Sequence, residues 1–173
     1  MAQSKGPVYL SRLFVSRESQ KGTSCMSTED EVRQACDQYD AALNHLLNGD
    51  TGLLMEVWSH SADVTALQPV AGRTLGWEQV RASWEQFAQL CSGGQITLRD
   101  PLIRVGTDLA YVVGTNAVQV TVAGEAISFE QRVTRIFRRE AGVWKIIHQH
   151  ADVVPALQAI LDRLQATPGQ PSS

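Results

Sequence analysis

The stretch AISFEQRVTRIFRREAGVWKIIHQH, residues 126–150, decides the reading of this chain. Two runs of alternating side chains flank Ala141-Gly142, the pattern of strands joined by a tight turn. Across 127–137 the odd positions are Ile127, Phe129, Gln131, Val133, Arg135 and Phe137, and the even ones form a wetter set. Alternation therefore predicts an inner face that carries Gln131 and Arg135 among apolar neighbours. In the second run Trp144, Ile146, His148 and His150 share one side, opposite Lys145, Ile147 and Gln149. Unbroken alternation predicts that both histidines point inward, into the space that holds Arg135.

Working backward, QITLRDPLIRV (95–105) and LAYVVGTNAVQVTV (109–122) also alternate, and they meet across Gly106-Thr107-Asp108. Gly124 marks the next turn. Three consecutive hairpins give a four-strand antiparallel meander. Val118, Val120 and Ile136 are its expected outward apolar residues, and Asp100-Pro101 reads as an edge or bulge.

The amino-terminal half has a helical period instead. Thr28 with Glu31 reads as a capping box, opening a helix that buries Val32, Cys36, Tyr39, Leu43 and Leu46. Gly49 suits the end of that helix and Asp50 the cap of a short second one, TGLLMEVW. DVTALQP is a strand stopped by Pro69, and GWEQVRASWEQFAQL is a third helix with Trp77, Val80, Trp84 and Phe87 inward. PALQAILDRLQ closes the domain as a helix begun at Pro155. Helices followed by a long antiparallel sheet define an α+β class with helices packed on one sheet face.

Composition narrows the function classes. A net charge of −3 leaves no basic footprint for nucleic acid, and no apolar run approaches the roughly 20 residues that cross a bilayer. Cys25, Cys36 and Cys91 are odd in number and lack a C-x-x-C spacing, so they read as reduced thiols and point to a cytoplasmic protein. Cys36 and Cys91 fall in helical patterns. Residues 1–26 carry Lys5, Arg12, Arg17 and Lys21 against Glu18, with many serines. They are set aside as a disordered or non-native extension, with a transit peptide as the other reading. Residues 27–166 form the domain, and 167–173 a disordered tail.

YDAALNHLLNGD, DVTALQPVAGRTLGWEQV and TRIFRREAGVWKIIHQHAD, in this order, resemble the nuclear transport factor 2-like superfamily in its SnoaL-like and ketosteroid-isomerase-like branch. The last stretch is also similar to the association domain of calcium/calmodulin-dependent protein kinase II. The resemblance covers nearly all of 28–165. It implies a cone-shaped half-barrel, a curved antiparallel sheet wrapped around amino-terminal helices with a carboxy-terminal helix, a pocket at the open end, and a homodimer or larger homo-oligomer. Tyr39 matches the isomerase tyrosine, but Gln68 stands where the aspartate base would be, and an amide cannot take that proton. The second acid falls near Thr134 or Arg135, neither a carboxylic acid.

The candidate site follows. Arg135 and Tyr39 would polarise a carbonyl, His148 would move the proton, and His150, Gln68 and Gln131 would line the pocket. This describes a pocket for a small apolar or carboxylate ligand, with isomerase, cyclase or dehydratase chemistry as one outcome. Each residue has a plainer role: the histidines as a hydrogen-bonded wall or subunit seam, Arg135 in an ion pair with Glu56, Asp63 or Glu130, Tyr39 in the core. No metal or cofactor is expected. The rival function is a non-catalytic association domain built on the outer sheet face.

Overall fold

Ser27, not Thr28, opens the first helix. Its hydroxyl accepts the Asp30 N–H at 3.1 Å while Asp30 Oδ2 accepts the Ser27 N–H at 3.3 Å, so the capping box lies one residue earlier than its expected place. In this computed structural model, residues 26–70 and 72–166 are described, and the readings of 1–25 and 167–173, Cys25 included, lie outside them. Helix α1 (Thr28–Leu46) buries Val32, Ala35, Cys36, Tyr39, Ala42, Leu43 and Leu46, an apolar stripe at helical spacing. Gly49 (φ 87°) turns the chain, and Asp50 Oδ1 accepts the Gly52 N–H at 2.9 Å where α2 (Gly52–Val57) begins.

Next come β1 (Thr65–Leu67), β2 (Arg73–Leu75) and α3 (Trp77–Leu90), whose Trp77, Val80 and Trp84 are buried. The meander follows as β3 (Cys91–Val105), β4 (Leu109–Val122), β5 (Glu125–Glu140) and β6 (Val143–Ala151), and α4 (Pro155–Ala166) ends the domain. Cys91 is the first residue of β3, not part of a helix. Two turns have both central residues at positive φ, Ala123-Gly124 (49°, 84°) and Ala141-Gly142 (49°, 86°), which matches the right-handed twist of their strands.

The six strands form one curved, unclosed sheet in the order β2-β1-β6-β5-β4-β3. β1 runs parallel to β6 and extends the meander, and β2, too short and polar to read from alternation, pairs with β1. α1 packs against β3 and α2 within the cone. Asp100 (φ 51°) and Pro101 sit in a bulge of edge strand β3 between Arg99 and Leu102. Val118 and Val120 point inward, each only 4 % exposed, because they pair with the inner-face residues Phe129 and Ile127. Of the three residues expected outside, only Ile136 is there.

Candidate functional site

Arg135 sits midway along β5 and is fully buried. Its Nη2 lies 2.7 Å from Asp40 Oδ1 and donates to Asn116 Oδ1 at 3.1 Å, while Nη1 reaches Cys36 Sγ at 3.2 Å. The guanidinium carbon is 4.9 Å from the Tyr39 ring centre, within cation–π range. The Asp40 contact is ionic: Oδ1 has no aligned hydrogen bond although it touches the cation. Burial pulls the Arg135 pKa down, but Asp40 and the neighbouring groups push it up by more, and the guanidinium stays charged. Glu56, Asp63 and Glu130 are not its partners. Asp63 binds Arg138 (2.7 Å), Glu130 binds Arg99 (2.6 Å), and the Glu56 carbonyl accepts from Lys145.

Tyr39 is fully buried and its hydroxyl donates to Gln149 Oε1. The Trp58 ring meets its edge at a centroid distance of 6.1 Å. Burial, the largest influence, raises the Tyr39 pKa, so the phenol stays protonated. Burial likewise raises the Cys36 thiol, which is therefore an acceptor for Arg135 and not a nucleophile. Gln68, 7 % exposed, donates through Nε2 to Ser83 Oγ at 3.1 Å, which ties the end of β1 to α3.

His148 and His150 face the other way. Ile136 pairs with His148 and Phe137 with Ile146, so Ile147 has no partner and forms a bulge. One extra residue inverts the alternation beyond it. Trp144 and Ile146 point inward before the bulge, and Gln149 and Ala151 do so after it. His148 shares the outer face with Ile136, and His150 shares it with Thr134. His148 Nδ1 lies 2.7 Å from Thr65 Oγ1 of β1. The proton-moving role drawn from the sequence fails on this geometry, because the imidazole and the Arg135 guanidinium lie on opposite faces of the sheet.

The interior site thus consists of Tyr39, Gln131 and Arg135 from the sequence reading, joined by Asp40, Asn116, Gln149 and Cys36. Asn116 was visible as an amide interrupting the inner row Val112, Val118, Val120, Val122. Asp40 was visible one helical turn beyond Cys36, at the margin of the buried stripe. Gln149 had no signal, since the bulge alone turns it inward. Among the described residues six buried side-chain atoms have no hydrogen-bond partner: the indole nitrogens of Trp58 and Trp84, Asp40 Oδ1, which touches the Arg135 cation, and, on the inner sheet face, Asn116 Nδ2, Gln131 Oε1 and Arg135 Nε. Asn116 and Gln131 lie directly opposite each other on β4 and β5. Such atoms are expensive to bury unmatched, and a native domain carries few of them. Among the described residues no group of three or more His, Cys, Asp or Glu could hold a metal ion, and no helix is long and apolar enough to cross a membrane.

A helix-filled cone of this topology, with polar groups converging on its inner sheet face, is a nuclear transport factor 2-like domain. The chain belongs to the SnoaL-like domain family, whose model matches residues 32–156. Solved structures agree in fold. A candidate dehydratase of the nuclear transport factor 2-like family from Streptomyces avermitilis aligns with 73% of this chain and 95% of its own at 22% identity and TM-score 0.65. A nuclear transport factor 2-like superfamily protein from Salmonella enterica serovar Typhimurium aligns over 72% and 89% at 17% identity and TM-score 0.65. The calcium/calmodulin-dependent protein kinase II hub of S. rosetta aligns over 75% and 99% at 18% identity and TM-score 0.60. Comparison of the sequence with curated proteins returns no match.

Proposed function

We propose that this SnoaL-like domain binds a small, neutral molecule bearing a carbonyl or amide group, held on the inner sheet face by Asn116, Gln131 and Arg135. The carrying observation is the trio of unmatched buried atoms, two donors (Asn116 Nδ2, Arg135 Nε) and one acceptor (Gln131 Oε1). A ligand with adjoining acceptor and donor groups would satisfy all three. A carboxylate fits less well than the sequence suggested, since Asp40 already neutralises Arg135 at 2.7 Å. Isomerase, cyclase or dehydratase chemistry would have to work without His148; what remains near Arg135 is a protonated phenol, an amide pair and a carboxylate tied to the arginine.

The test is a thermal-shift panel of neutral lactams, amides and enones beside matched carboxylates, with Asn116→Leu and Gln131→Leu in parallel. A ligand at a hundred times its Kd adds about 2.7 kcal/mol of stability. Neutral compounds that stabilise the wild type and neither variant support the reading. Stabilisation by carboxylates alone would overturn it.

A second reading, association through the outer sheet face, draws on a different observation. Leu75, Leu102 and Tyr111 are 49, 44 and 45 % exposed on strands of that face. Large exposed side chains on one face, Leu102 and Tyr111 on neighbouring strands and Leu75 at the opposite edge, suit a partner. The S. rosetta relative is itself a hub. Sedimentation velocity at about 10 μM would show a dimer or larger species, and a monomer would sink this reading.

A further inference from the structure

The strand register aligns outer-face residues into two rows that cross all six strands. One runs Arg104, Tyr111, Ile136, His148, Thr65, Leu75 from β3 to β2. The next runs Leu102, Val113, Thr134, His150, Leu67, Arg73. Apolar and hydroxyl side chains fill the middle of both rows, each row has an arginine at one end and a leucine at the other, and a histidine sits in each. We infer that this face joins a second copy of the chain and that His148 and His150 make the association acid-sensitive, so that the pair dissociates as the pH falls below neutrality. This inference rests on the association reading.

The second copy is favoured by size and composition. With strands about 4.8 Å and rows about 7 Å apart, the two six-strand rows present about 400 Å² in projection, and three further rows on β3, β4 and β5 add about 300 Å². Standard interfaces bury about 800 Å² of accessible surface per partner, so the face suffices when two copies meet on it. A twofold contact uses one patch twice and needs only that the patch match itself. A patch of leucine, isoleucine, valine and tyrosine does so readily, whereas rims of like charge must be offset.

The proton sensitivity follows from what surrounds the imidazoles. On β6 the other titratable outward groups are Lys145 and the second histidine. Tyr111 on β4 stands in the His148 row with Ile136 between them, Arg132 and Arg138 stand on β5, Arg99 and Arg104 on β3, and Arg73 on β2. β1 contributes only Thr65 and Leu67. The nearby carboxylates already serve arginines: Asp152 holds Arg132 (2.7 Å) and also interacts with His150, Glu130 holds Arg99 (2.6 Å), and Asp63 and Glu140 hold Arg138 (2.7 and 2.8 Å). Neither row contains a carboxylate. A proton on His148 therefore places a charge between Ile136 and Thr65, with no carboxylate in its row and His150 as the neighbouring titratable group. Burial first, and His150 second, already hold the His148 pKa below its ordinary value in the single chain. Covering the face removes more water and depresses it further, so the neutral form binds the second copy more tightly.

Sedimentation equilibrium of the wild-type chain at pH 7.5 and pH 5.8 tests this, with His148→Gln/His150→Gln beside it and far-UV circular dichroism at each pH. A dimer Kd weakened at least tenfold at pH 5.8, with the double variant changing less than threefold, is the expected result. A monomer at both pH values would overturn this inference together with the association reading. A dimer of equal strength at both would overturn the acid sensitivity alone. Equal weakening of wild type and variant would remove the histidines from the effect, and loss of the dichroism signal at pH 5.8 would assign it to unfolding. Both outcomes defeat the inference. Should the double variant not dimerise at pH 7.5, the wild-type histidine pKa values measured by NMR decide: they must fall as protein concentration rises.

Discussion

Arg135 and Asp40 meet at 2.7 Å inside the cone, the arginine fully buried and the aspartate side chain 21 % exposed. Asp40→Ala leaves a buried guanidinium with only neutral partners. Such losses cost about 3–5 kcal/mol, and the residual water at Asp40 places this one near 3. Replacing both partners, Asp40→Leu with Arg135→Met, should recover most of the loss, because no charge is then stranded. Urea denaturation of the two single variants and the pair measures it. A double variant as weak as Asp40→Ala would show that packing, not charge, carries the contact.

The Tyr39–Gln149 hydrogen bond joins α1 to β6 within the core. Tyr39→Phe keeps the ring beside Trp58 and Arg135 but strands Gln149 Oε1, which should cost about 1–3 kcal/mol. A midpoint of thermal unfolding within a degree of wild type would contradict this.

Gly94 pairs with Val120 where β3 begins to follow β4. A Cβ there would stand 2.6 Å from the Gln119 carbonyl oxygen and 3.0 Å from Val120 Cα, and backbone cannot move aside as a flexible side chain can. Gly94→Ala should destabilise by about 1–3 kcal/mol through overpacking. Gly124→Ala is the contrast: nothing lies within 4 Å, and its cost comes from the φ of 84°. Equal behaviour of Gly94→Ala and wild type in urea would refute the close approach.

Arg138 and the Ser61 hydroxyl lower the Asp63 pKa to about 2. An unfolded aspartate titrates near 3.9, so the group's contribution is complete above that pH and disappears as the pH falls toward 2. Stability should decline across this window in wild type and less steeply in Asp63→Asn. The pair is exposed, so 1 M salt should shrink the difference. Unfolding midpoints from pH 5 to 2 provide the comparison, and parallel slopes would rule the pair out.

Much of the architecture was legible along the chain. Period-two runs around Gly106, Gly124 and Ala141-Gly142 announced the meander, because side chains on a half-buried sheet must alternate. Helical spacing from Val32 to Leu46 announced α1, and Asp100-Pro101 announced a bulge. Arg135 and Gln131 were legible as inward polar groups for the same reason. Less was legible where pairing partners are distant in sequence. β2 is three residues long and has no pattern of its own, and only β1 beside it makes it a strand.

The sequence by itself determined the fold class, the strands of the meander, the family and the presence of a buried arginine, because local periodicity and turn chemistry are written residue by residue. Only the tertiary structure decided which polar groups share the interior. Ile147 carries no glycine or proline mark, yet its bulge reverses the last strand, sends His148 and His150 outside and brings Gln149 in. That choice is made by β6 lying between β5 and β1 at once, a constraint of long-range pairing that no window of local sequence contains.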